Sequence, residues 1–157
     1  MDRSTLLRAT LKDQLLQKQK ILRGVLSQLM TLTPRQLSEA EERRTKLLKI
    51  CNALPEVVVE GAGEHLCFRI RKKTLGYYLF DHHGDEMIAF CCKSNLTEQR
   101  QLVREDPENF FVPAYLGSKG WIAIRLDLAG VDWDAVEELA RRAYQALAPR
   151  KLAALVD

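Results

Sequence analysis

Six consecutive residues concentrate the metal-binding potential of this chain: Asp81, His82, His83, Gly84, Asp85 and Glu86. Imidazoles beside carboxylates are a donor set for zinc and other divalent ions, which makes His82, His83 and Asp85 the candidate ligands. Adjacent ligands in a hairpin rarely both reach one ion, and the remaining histidine, His65, sits a strand away. The same His-Gly-Asp-Glu run is also good turn chemistry between two β runs. No resident metal or other cofactor is expected.

A second candidate is the GSKG run at residues 117–120. It lacks the G-x-x-x-x-G-K-[ST] spacing of a phosphate loop, and a strand comes after it where a helix is required. It predicts a glycine-bounded turn presenting Lys119. The four cysteines, Cys51, Cys67, Cys91 and Cys92, form no C-x-x-C pair and read as reduced, mostly buried thiols. Cys91 with His65 is a conceivable thiol–imidazole pair. Asp132, Asp134, Glu137 and Glu138 read as the acidic first turn of a helix, where its dipole favours them. These residues point away from catalysis, and a non-enzyme is expected.

The elements that position these residues are set by periodicity. Residues 4–30 place leucines and their equivalents near helical spacing and predict an amphipathic helix in need of a partner surface, its own domain or a second copy. Thr33 then reads as an N-cap with Pro34 at the first helical position, starting a second helix that Asn52 and Pro55 stop. From Val57 the period changes to two through VVVEGAG, HLCFRIRKK, TLGYYLFD and MIAFCCK. A short helix capped by Ser94 or Asn95 covers residues 96–105, WIAIRLD is a further strand, and Asp132 caps a last helix with Val136, Leu139, Ala140, Ala143 and Leu147 inward. The order of helix, three strands in meander, helix, one or two strands and helix predicts an α+β fold. Its two layers are an antiparallel sheet and helices on one face. An N-terminal extension over residues 1–32 precedes a domain over residues 33–157.

Alternation also sorts side chains by face. If Leu66, Phe68 and Ile70, with Ile88, Phe90 and Cys92 and with Ile122, Ile124 and Leu126, face the helices, the open face gathers Arg69, Arg71, Lys93, Trp121 and Arg125. Met87, Ala89 and Cys91 share that side. Basic residues interleaved with an aromatic suit phosphate contact plus stacking, and a solvated sheet face partly covered by the first helix is the plainer alternative.

The whole chain narrows the classes further. Its 157 residues suit one domain with an appended element, and no apolar run approaches the ~20 residues of a membrane helix. No membrane partner is expected, and the broken apolar pattern of the first residues predicts a cytoplasmic protein. Charge is uneven: residues 1–50 carry eleven Lys/Arg against five Asp/Glu, and residues 51–157 carry thirteen against sixteen. The excess of acid in the main domain counts against strong DNA binding.

From about residue 35 onward the chain resembles the MmcQ/YjbR-like family. The likeness is carried by ICNALPEV, HLCFRIRKKTLGYYLFDHHGD, MIAFCCK, PENFFVPAYLGSKGWIAIRLD and VDWDAVEELARRAYQALAPRKL, in that order. The resemblance implies a bacterial protein with the α-β-β-β-α-β-α, YjbR-like fold, akin to type III secretion chaperones and likened to a double-wing DNA-binding domain of a phage transcription factor. It implies a DNA-binding label, and one member lies in a mitomycin gene cluster. Lys93, Tyr115 and Trp121 match the family's strand-end lysine, loop tyrosine and strand-start tryptophan. The family's V-x-GK turn is IRKK here, which adds a charge and removes a glycine.

Three functions stand after this reading. The first is non-catalytic binding of nucleic acid, with Arg69, Arg71, Lys72, Lys93, Lys119 and Arg125 on phosphates and Tyr115 and Trp121 beside them. The second is binding of a small aromatic or anionic molecule, including an antibiotic-resistance role. Tyr77, Met87, Cys91 and Trp121 would then line a concave sheet face, and Arg69 or Lys93 would grip an anionic group. The third is a chaperone-like interaction module, a homodimer through residues 4–30.

Overall fold

The computed structural model describes residues 13–23, 26, 33–63, 65–80 and 86–156. Residues 13–23 are helical (α1) and place Leu15 and Leu22 seven positions apart on one side. The rest of the expected first helix, and with it much of the surface proposed for a dimer, lies outside the described residues. So do His82, His83 and Asp85.

The second helix, α2 (Pro34–Asn52), begins at Thr33. Thr33 Oγ1 accepts from the Gln36 N–H at 3.3 Å, and Gln36 Oε1 accepts from the Thr33 N–H at 2.8 Å. This reciprocal box satisfies donors that the helix itself cannot. Two further caps come from short polar side chains. In α3 (Leu96–Glu105), Asn95 Oδ1 accepts from the Glu98 N–H at 2.9 Å. In α4 (Trp133–Leu147), Asp132 accepts from the N–H groups of Asp134 and Ala135 at 3.1 and 3.0 Å. A short α5 (Arg150–Ala153) comes after Pro149.

Six strands form one antiparallel sheet: β1 (Val57–Ala62), β2 (His65–Ile70), β3 (Lys73–Phe80), β4 (Ile88–Cys92), β5 (Phe110–Phe111) and β6 (Ile122–Arg125). Their order is β1-β2-β3-β4-β6-β5. The meander therefore has four strands, one more than the sequence pattern grouped together, and β2 stops at Ile70. Arg71 and Lys72 form a two-residue hairpin loop, with Arg71 at φ 55°. A positive φ matches the twist of tight hairpins, so Arg71 is a turn residue and not part of the alternating face.

The helix-facing side matches the predicted sets. Cross-strand register aligns Val59, Phe68, Gly76, Cys92 and Ile122 in one row, and Leu66, Tyr78, Phe90, Ile124 and Phe110 in the next. Helix α4 packs over β3 and β4, burying Val136, Leu139, Ala140, Ala143 and Tyr144. Tyr144 takes the place in the inward stripe expected for Leu147, which is only half-buried. The Tyr78 hydroxyl donates to the Ala40 carbonyl of α2 at 3.1 Å, so its one polar atom is satisfied inside the core. Leu75 is the extra residue of a β3 bulge, which shifts the pairing between Phe68 and Arg69 and turns Leu75 inward at no exposure.

The chain divides into two compact units, Met1–Leu37 and Ser38–Asp157, so the division falls one turn inside α2. Among the described residues no helix is long and apolar enough to cross a membrane.

Gly76 sits where the sheet leaves no room. A Cβ there would meet Phe90 Cε2 at 2.7 Å and the Cys91 carbonyl oxygen at 2.8 Å. The edge-on packing of Phe68 against Phe90, centroids 6.1 Å apart, fills that space. Gly76→Ala is expected to lower stability by ~1–3 kcal/mol through overpacking, despite the better strand propensity of alanine. Urea denaturation checks this as a fall in midpoint at unchanged slope.

Candidate functional site

The face away from the helices is not a solvated basic plane. Register carries one row across all six strands: Glu60, Cys67, Tyr77, Cys91, Ala123 and Phe111. The adjacent row runs through His65, Leu79, Ala89 and Arg125. From β3 inward, both rows are mainly apolar. All five residues of β4 are buried, so this strand is covered on both sides. Cys91, Trp121 and Ala123 form a small second core, with Tyr77, Leu79, Phe111 and Leu116 packed against it.

The cover is the segment between β5 and β6. It runs out along Val112 and Pro113, turns at Tyr115, and returns through a 3-10 turn over Gly117–Lys119. One side chain of α3 fastens it: buried Gln99 donates from Nε2 to the carbonyls of Gly117 and Trp121, at 2.8 and 2.6 Å. At Gly117 a Cβ would meet Val112 Cγ1 at 2.2 Å, so that side chain would have to move. Gly120 is required by conformation, at φ 79° with Asn95 close behind it. The GSKG run is thus a structural turn, and each of its glycines has a separate steric reason.

Between this segment and the sheet lies a cleft of about 570 Å³. Tyr77, Leu79, Ala89 and Cys91 form its floor, Met87 and Phe111 its sides, and residues 112–116 its rim. Among the described residues, no charged side chain lines it. The volume falls within the range of small-molecule sites, which are mostly apolar. The Tyr77 ring is stacked on Trp121 with centroids 5.5 Å apart and planes at 27°.

The expected basic residues are placed elsewhere, and most are occupied. Arg69 pairs with Glu60 at 3.4 Å and donates to the Lys72 carbonyl at 3.1 Å. Arg71 pairs with Glu56 at 3.2 Å, and Arg125 holds Asp127 through two nitrogens. Lys93 Nζ donates to the Lys119 carbonyl at 2.6 Å, so it braces the loop from the strand end. The Lys72 and Lys119 side chains are exposed. Trp121 is only 7% exposed, so of its two expected roles it serves packing. Tyr115, by contrast, is 90% exposed at the cleft rim.

His65 and Cys91 do not pair. They lie on β2 and β4 with β3 between, and opposite different β3 residues, Leu79 and Tyr77; two strand spacings are ~10 Å. Burial pushes the Cys91 thiol up to about 12, and Cys92 and Cys51 also upward, for want of solvation of the thiolate. Cys67 shifts the same way, chiefly by burial, with Thr74 hydrogen bonding and Arg69 opposing. A protonated, buried Cys91 offers the cleft a soft apolar wall rather than a nucleophile. Among the described residues no cluster of His, Cys, Asp or Glu could hold a metal ion.

Sequence reasoning placed Met87, Ala89 and Cys91 on this side and named Tyr77 as a lining residue. It missed Leu79, Phe111 and the rim residues Val112, Pro113, Ala114 and Leu116, and reached Tyr115 only through the family's loop tyrosine. The signal was present in the apolar character of both alternating sets in β3 and β4.

A family model described as YjbR matches residues 52–146, more than half of the chain. The fold is similar to that in the crystal structure of Deinococcus radiodurans protein DR2400, which carries the family-model domain DUF419. That likeness has a TM-score of 0.55 and 18% identity, covering 70% of this chain and 84% of that one. No curated protein matches the chain.

The site's construction sets two expected outcomes. Gln99→Leu removes the side-chain donor to the Trp121 carbonyl and leaves the Gly117 carbonyl only the Gly120 N–H, and is expected to cost ~1–3 kcal/mol, with a red shift of tryptophan fluorescence as the loop lifts from Trp121. For pH, the raised native values mean that the thiols' contribution to stability is complete below pH 9.0, the ordinary thiol value. It is lost as pH rises from there toward about 12, because the unfolded chain releases its protons first. The Cys91 thiol contributes a slope of up to ~1.4 kcal/mol per pH unit in that window. Unfolding free energies measured across it are expected to fall less steeply in Cys91→Ala than in the parent chain.

Proposed function

The chain belongs to the YjbR family, and from that premise we propose that it is a non-catalytic binder of small, uncharged, largely apolar molecules. The observation that carries the reading is the cleft of about 570 Å³ whose lining, among the described residues, holds no charged side chain. A ligand there gains by leaving water and meets no buried charge that demands a counter-ion. This departs from an anionic ligand gripped by Arg69 or Lys93, since neither residue lines the cleft and both are already bonded. The cytoplasmic location expected from the sequence is kept as part of the proposal.

The nucleic-acid reading has less support from the geometry. Phosphates would have to displace Glu60, Glu56 and Asp127 from Arg69, Arg71 and Arg125. The exposed pairs of Arg69 and Arg71 are worth only ~0–1 kcal/mol each, but the carboxylates would stay close by and repel the backbone. Trp121 offers bases no open ring face.

The test pairs both readings. N-phenyl-1-naphthylamine, a neutral aromatic probe, is expected to brighten on titration and saturate at one per chain. Leu79→Lys, which puts a charge on the cleft floor, is expected to weaken it at least ~tenfold through the cost of burying that charge, while Arg69→Glu leaves it unchanged. Labelled duplex DNA is run alongside at low and high salt. DNA binding that falls steeply with salt and is lost in Arg69→Glu, together with no saturable probe signal, would replace this reading by the nucleic-acid one.

A further inference from the structure

Tyr115 is the residue at the cleft that packing does not explain. Its φ is 64°, in the left-handed region that glycine and asparagine tolerate and an aromatic residue rarely adopts. The Leu116 N–H donates to the Ala114 carbonyl at 2.8 Å, closing a three-residue turn around it. A turn of this size with positive φ at its centre is the rare, strained form of the γ-turn. The turn is held on its far side by the Gly117 N–H donating to the Pro113 carbonyl at 3.0 Å, and beyond that by Gln99. The chain therefore holds a conformation against local preference at this position, and such positions concentrate at ligand clamps.

The side chain raised on this turn has gained nothing from the fold. Its ring is 90% exposed, more than any other large apolar side chain among the described residues, yet it forms part of the cleft rim. The same cleft is lined by two aromatic rings, Phe111 and Tyr77, the latter stacked on Trp121 behind it. The rings of Tyr77 and Phe111 share one row of the sheet, separated by the small side chains of Cys91 and Ala123. A flat molecule resting there would present its outer face to the rim.

We propose that Tyr115 is a clamp that closes its ring over a planar aromatic ligand seated on Tyr77 and Phe111, so that the cleft selects flat aromatic molecules over aliphatic ones of similar size. This rests on the cleft being a ligand site and adds its ligand class and its selecting residue. In the proposed closure the strained turn fixes the base of the side chain, and the ring moves by rotation about its side-chain bonds. Aromatic pairs prefer offset or edge-on contact beyond the gain of burial, so the ring favours aromatic occupants specifically.

The experiment compares the parent chain with Tyr115→Ala and Tyr115→Phe, using N-phenyl-1-naphthylamine by direct titration and dodecan-1-ol by displacement of that probe. Because the ring touches little of the fold, both variants are expected to unfold at the parent's urea midpoint. Tyr115→Ala is expected to weaken the aromatic probe about tenfold, as loss of one aromatic contact predicts, and to change the affinity for dodecan-1-ol by less than about twofold. Tyr115→Phe is expected to bind both as the parent does. If Tyr115→Ala binds the aromatic probe as tightly as the parent, the clamp is wrong while the cleft remains a site. Equal weakening of the probe and the alcohol also overturns it, since that marks lost apolar cover without aromatic selection. Failure of the parent chain itself to bind either compound sinks the cleft reading, and the clamp with it.

Discussion

The structure turns on a sheet with two apolar faces and helices enough to cover one. Strands β3 and β4 send Tyr78, Phe90 and Cys92 toward the helices and Tyr77, Leu79, Ala89 and Cys91 the other way. Apolar surface of that extent must leave water. The chain meets the demand with the segment between β5 and β6, pinned by Gln99 across its base. A segment of this length covers the tryptophan end of the face and leaves the tyrosine and methionine end as a cleft. Trp121, the two glycines of GSKG and the brace from Lys93 all serve that partial cover.

Charge on the domain is neutralised locally. Arg69, Arg71 and Arg125 have carboxylates within reach on neighbouring strand or turn positions. Glu98 gathers Ser94 and Arg142, and Glu138 gathers Arg141 and Arg142, so α3 and α4 are tied at their surface. Sums of positive residues along a strand overstate the potential available to a polyanion when carboxylates on adjacent strands and turns pair with them. The cleft, in contrast, owes its character to the apolar side chains of its floor and sides, which favour occupants that carry no charge.

Much of the frame was legible beforehand. Thr33, Asn95 and Asp132 mark helix starts because a short side-chain oxygen can reach the free N–H groups of the first turn, a rule that involves only neighbours in sequence. Period-two alternation assigned the helix-facing sets of β2, β4 and β6 for the same reason. The reading failed where one residue broke the period. The bulge at Leu75 shifts the pairing of β3 against β2, and the turn at Arg71 ends the alternation of β2 one position early. It failed again in taking an alternating set that contains arginines for a wet face. Tyr77, Leu79, Ala89 and Cys91 occupy that face at its centre, and the arginines stand toward its margins.

By itself, then, the sequence determined the helices, their caps and the helix-facing side of most strands, since each depends on contacts a few positions away. It also placed the chain by the order of its motifs. Only the tertiary structure decided that the second face would be covered, and by which segment, because Gln99 and Gly117 lie 18 positions apart and their contact depends on how α3 docks beside the sheet. It decided likewise that Trp121 would be hidden and Tyr115 left standing at the rim. Burial is a property of what other parts of the chain leave uncovered, and no local pattern of residue types encodes it.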